Sequence, residues 1–81
     1  MLKVYPNPVN DDAVLDFYSE KEQTITVNIL NVKGNKLDAI YRNATVGLNS
    51  LKINMNQLNK GVYVIQVVTG NDIRSVNVVK N

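Results

Sequence analysis

The sequence predicts an all-β domain: an immunoglobulin-like antiparallel β-sandwich of about seven short strands. Three observations predict it. Thr24-Ile25-Thr26-Val27-Asn28-Ile29 alternates strictly, the pattern of a strand with one buried and one wet face. Turn residues recur at a spacing of roughly eight to twelve residues, as in sandwiches and barrels. Gly70-Asn71 separates two runs rich in Val and Ile, a hairpin signal because both turn residues tolerate positive φ. No segment carries a convincing helical period.

The elements follow in order. Leu2-Lys3-Val4-Tyr5 alternates and reads as a first strand. Pro6-Asn7-Pro8 ends it, each proline fixing its own φ and extending the residue before it. Asn10-Asp11-Asp12 is a turn, and residues 13–18 form a strand with Ala13, Leu15 and Phe17 on one face. After the charged connection Ser19-Glu20-Lys21-Glu22, Ile25, Val27 and Ile29 point inward and Thr24, Thr26 and Asn28 point to the wet face. Asn31-Val32-Lys33-Gly34-Asn35 is a turn with Gly34 at positive φ. Residues 36–41 return, residues 43–47 loop out, and Leu51, Ile53 and Met55 mark the next strand. Residues 56–60 connect, with Leu58 tucked inward, to the last hairpin of residues 62–69 and 73–80. A two-residue loop sets Thr69 opposite Asp72, Val67 opposite Arg74, Ile65 opposite Val76 and Tyr63 opposite Val78. Gln66 then faces Ser75 and Val64 faces Asn77. A slip of one residue would mix the two faces.

Composition bounds the function. Eighty-one residues make one domain with one core. The net charge is +2 and the lysines form no run, a weak footprint for nucleic acid, and none is expected as a partner. With no cysteine and no histidine, the Ser-His and Cys-His nucleophile pairs and the common zinc sites are absent. Ser19, Ser50 and Ser75 have no histidine to activate them. We expect no enzyme activity, no cofactor and no small-molecule substrate. Asn10, Asp11, Asp12 and Asp16 are the densest oxygen cluster and read as an Asx turn plus a strand carboxylate rather than a calcium loop. Asn43-Ala44-Thr45 fits a glycosylation acceptor and reads as a chance match in an asparagine-rich chain. Tyr63 reads as a core tyrosine whose hydroxyl bonds nearby backbone. No apolar run approaches bilayer-spanning length, and no leader stands at the front, so an exported parent would carry its signal upstream.

Four stretches together resemble one family. They are Leu2-Lys3-Val4-Tyr5-Pro6-Asn7-Pro8, Val27-Asn28-Ile29-Leu30-Asn31-Val32-Lys33-Gly34, Leu58-Asn59-Lys60-Gly61-Val62-Tyr63-Val64-Ile65 and Ser75-Val76-Asn77-Val78-Val79-Lys80. The chain resembles, over essentially its whole length, the C-terminal sorting domain of type IX secretion cargo proteins of Bacteroidetes. The resemblance implies a single sorting domain, residues 1–81, excised from a larger exported protein. It implies two partners, the outer-membrane translocon and a surface sortase that cuts ahead of Leu2. The location would be the periplasm in transit, then the cell surface or the medium. By residue it implies Pro6, Asn7 and Pro8 as the opening motif and Gly34 as the mid-domain turn glycine. Leu58, Gly61 and Tyr63 form the late turn-strand motif, and Val76, Val78 and Lys80 the terminal strand that the machinery needs. Asn31-Val32-Lys33 departs from the Asp, Leu or Met, then Thr or Asn, common at that turn. Asn81 extends past the usual lysine-type end, and Met1 reads as an added initiator.

A terminal strand at a sheet edge offers backbone groups for pairing. Recognition is therefore expected at the last hairpin and its exposed face, Gln66, Ser75 and Asn77. The alternative is an accessory immunoglobulin-like module, for carbohydrate binding or as a spacer, with Tyr5, Tyr18 and Tyr41 as its aromatic candidates. The expected oligomeric state is a monomer or weak dimer.

Overall fold

Strands account for all the regular structure in the computed structural model, which describes residues 2–81. Met1, read above as an initiator, lies outside the described residues. The strands are β1 (Leu2–Tyr5), β2 (Asp12–Ser19), β3 (Gln23–Asn31), β4 (Lys36–Ala44), β5 (Gly47–Asn54), β6 (Gly61–Val68) and β7 (Ile73–Lys80). They form a three-stranded sheet, β1-β2-β5, and a four-stranded sheet, β4-β3-β6-β7. Every strand pairing is antiparallel. This is the predicted immunoglobulin-like sandwich.

Period-two patterning builds the core. Ala13, Leu15, Phe17 and Ile53 from the small sheet meet Ile25, Val27, Ile29, Ile65, Val67 and Val78 from the large one, all buried. Val9 and Met55, outside the strands, are also fully buried. Val9 sits between Pro8 and Asn10 and shows no alternation, so the sequence pattern does not mark it.

The β6–β7 register is the predicted one, from Val67 opposite Arg74 to Tyr63 opposite Val78. The turn chemistry differs. Neither Gly70 nor Asn71 has a positive φ. The flanks close the turn instead: Thr69 N–H donates to the Asp72 carbonyl at 2.9 Å, and Arg74 Nε donates to the Asp72 carboxylate at 2.9 Å. Positive φ occurs at Gly34 (+85°), as expected, and at Gly47 (+103°). Gly47 lies where the predicted loop of residues 43–47 shrinks to Thr45-Val46, as β4 runs to Ala44 and β5 starts at Gly47. Asn49 brackets this corner, accepting from Thr45 N–H and donating to the Thr45 carbonyl, each at 3.0 Å. Gly47→Ala is expected to cost about 1–2 kcal/mol, the penalty of a left-handed backbone for an L-residue. Gly70→Ala should change stability by no more than about 0.5 kcal/mol. Urea unfolding of the two variants checks the contrast.

Asn28 corrects the wet-face reading of β3. It is 5% exposed because β4 and β6 flank it on both sides, with Ala39 and Gln66 as its cross-strand partners. Its Nδ2 donates to Gln66 Oε1 at 3.1 Å. Its Oδ1 has no hydrogen-bond partner among the described residues.

The large sheet has two edges, and they differ. On β4 the inward positions opposite Ile25, Val27 and Ile29 are Arg42, Ile40 and Asp38. Both charged residues are exposed. Charges at inward positions of an edge strand oppose docking of another strand there. On β7 the corresponding inward positions are the exposed Arg74, the half-buried Val76 and the buried Val78 and Lys80.

Candidate functional site

The opening motif lies against the end of β7. Tyr5-Pro6 and Asn7-Pro8 are both cis. Asn7 Oδ1 accepts the Val79 N–H at 2.9 Å, and its Nδ2 donates to the Asn77 carbonyl at 3.3 Å. One planar side-chain amide thus supplies the acceptor and donor that a neighbouring strand's backbone would supply. Val9 continues the pairing with its backbone. Its N–H donates to the Val79 carbonyl at 2.7 Å, and its carbonyl accepts from Asn81 N–H at 2.9 Å. The bridge to Lys80 is parallel. Asn81 Nδ2 donates to Asn10 Oδ1 at 3.1 Å. Residues 7–10 therefore form a short strap along the outer edge of β7, over its C-terminal half only.

The other motif residues gather at the same end of the sandwich. Tyr63 stands between Asn31 and Val78, and its hydroxyl donates to the Asn59 carbonyl at 2.6 Å, the core-tyrosine arrangement expected. Leu58 packs against the core, and its N–H donates to the Met55 carbonyl at 3.1 Å. Gly34 N–H donates to the Asn31 carbonyl at 3.0 Å, while Asn31 Oδ1 accepts from Lys33 and Asn35 N–H, each at 3.0 Å. Gly61 pairs with Lys80. A methyl group at Gly61 would meet only the Tyr63 ring, at 3.9 Å, so this fold makes no steric demand for glycine there. Val78 and Lys80 are buried, with the Lys80 amine donating to the Asn81 carbonyl at 3.1 Å. With Tyr63, three expected recognition residues are thus buried. What β7 presents to solvent is Ile73, Arg74, Ser75, Asn77 and Val79.

The tyrosines of the alternative reading divide between faces. Tyr5 and Tyr18 stand on the outer face of the small sheet, while Tyr41, opposite Thr26, stands on the outer face of the large one. Tyr5 is held in place: its hydroxyl donates to Asp16 Oδ2 at 2.9 Å, and Ser50 Oγ donates to the other carboxylate oxygen. Asp12 of the same cluster pairs with Lys52 at 3.2 Å. The hydrogen bond to Asp16 raises the Tyr5 phenol above its ordinary value, with smaller contributions from desolvation and from the Asp16 charge. A group whose folded pKa is raised contributes stability that is complete below its unfolded value. That contribution is lost as pH climbs through the folded value. Stability should therefore decline above about pH 10, and Tyr5→Phe should remove part of that decline. Alkaline urea titrations of both proteins check this.

Fold and strap define the class: a small immunoglobulin-like sandwich whose last strand is fastened to the start of its own chain. The chain belongs to the secretion system C-terminal sorting domain family, which matches residues 3–81. It is a type IX secretion C-terminal sorting signal, of a family of Bacteroidetes that is generally non-catalytic. Among curated proteins, none matches the chain.

Proposed function

We propose that the domain is an address label on a larger exported parent. The type IX outer-membrane translocon recognises it in the periplasm and exports the parent. A surface sortase then removes it by cutting ahead of Leu2. The observation that carries this reading is the family match across residues 3–81. The strap adds support, because it joins the opening motif to the terminal strand as one unit through Asn7, Val9 and Val79. Recognition uses the last hairpin.

The test is export of a reporter. The domain is fused to the C-terminus of a periplasmic reporter in a bacterium that has the type IX machinery, beside a strain lacking the translocon. Translocon-dependent appearance of reporter outside the cell is expected. A folded fusion that stays in the periplasm in both strains overturns the reading. Loss of the domain from surface reporter only when the sortase is present is the expected outcome for cleavage.

A further inference from the structure

We infer that residues 73–77 of β7 form a docking edge for an extended polypeptide segment of the export machinery, paired through backbone rather than side chains. This rests on the sorting-signal reading and assigns the mode of contact. Backbone direction alternates along an antiparallel strand. The outer partners of the Asn77 carbonyl and of Val79 show that these residues face away from β6. Ser75 and Ile73 share that orientation by the same alternation. The Thr69–Asp72 hydrogen bond fixes the same phase from the hairpin end. No described residue bonds the outward groups of Ser75 or the Asn77 N–H. The strap supplies the upper boundary, since it occupies the edge from the Asn77 carbonyl onward.

Three further observations favour this stretch. The strap shows that the β7 edge accepts a chain beside it, because Val9 already bridges to Lys80. The opposite edge, β4, carries Asp38 and Arg42 at inward positions, while β7 carries Arg74, held to the Asp72 carboxylate beside it, and then Val76 and Val78. Beside the open stretch lies a groove of about 480 Å³ of mixed character, walled by Leu2, Phe17 and Val67 together with Glu20, Lys21 and Arg74. Arg74 belongs to both the groove and the strand. A segment laid along β7 directs alternate side chains toward that groove. Peptide recognition at sheet edges draws affinity from main-chain bonds and specificity from such pockets.

Proline separates this edge from the hairpin's exposed face. At an outward-facing position of an edge strand, proline removes the free N–H and spares the ladder. Ser75→Pro and Asn77→Pro are compared with Ser75→Ala and Asn77→Ala in the reporter fusion, with thermal melts of each purified domain. The expected result is export reduced at least tenfold by either proline in a folded domain, and unchanged by both alanines. Normal export with a folded Ser75→Pro or Asn77→Pro overturns the edge assignment and leaves the sorting reading intact. Failure of the unsubstituted fusion to be exported overturns the sorting reading itself. If neither proline variant folds, amide exchange of the unsubstituted domain decides. Slowing at Ser75 and Asn77 on adding purified translocon supports the edge, and unchanged exchange overturns it. A concentration-dependent dimer abolished by Ser75→Pro assigns the edge to a second copy and overturns the proposed partner.

Discussion

Ile65→Ala is expected to lower the unfolding free energy by about 2–5 kcal/mol. Ile65 is fully buried in the central strand β6, between Ile29 on β3 and Val76 on β7. Truncation removes apolar contact with both neighbouring strands and leaves a cavity that paired strands cannot collapse to fill. A domain of this size has a total stability on the order of 4–12 kcal/mol. The substitution therefore takes away a large share and leaves a weak member of that range unfolded at room temperature. Urea unfolding at constant m-value checks it. A loss below about 1 kcal/mol would show that the sheets close over the gap.

Asn7→Ala is expected to cost about 1–3 kcal/mol, from two neutral hydrogen bonds at about 0.5–1.5 kcal/mol each. Asn7→Asp should be at least as harmful. Aspartate keeps the acceptor for the Val79 N–H but sets a second acceptor against the Asn77 carbonyl, where the native amide donates at 3.3 Å. The diagnostic readout is local. Amide exchange at Val79 should accelerate in Asn7→Ala, which removes its acceptor, well before the protected amides of β3 and β6 change. Unchanged exchange at Val79 in Asn7→Ala would mean that the Val9 bonds keep the strap closed without Asn7.

The sequence carries the repeating part of this architecture. Alternation placed Ile25, Val27 and Ile29 inward, and local turn spacing set the register of β6 against β7. These signals are short-range, so one sequence exposes them. Other features depend on what a residue meets far along the chain. Asn7 and Val79 are 72 residues apart, and nothing local says that a side-chain amide between two prolines will substitute for a strand. Val9 is buried by the same remote contact. Asn28 looks like a solvent-facing strand residue until its strand proves to be central. At Gly70 local chemistry misled: the hairpin formed with its expected register, but Asp72 closes the turn and the glycine's conformational freedom goes unused.

The strap has a consequence for synthesis. The bonds from Asn7 to Asn77 and Val79 join the first and last tenths of the chain, across separations of 70 and 72 residues. Sandwiches dominated by such distant contacts fold late and slowly, in milliseconds to seconds. A polypeptide interrupted on the ribosome before residue 77 has nothing for Asn7 to close upon, and β6 lacks its neighbour. On the proposed sorting reading, the folded label therefore forms only once translation has passed β7. Export that requires the folded label would then hold back chains truncated before β7, with no separate inspection step.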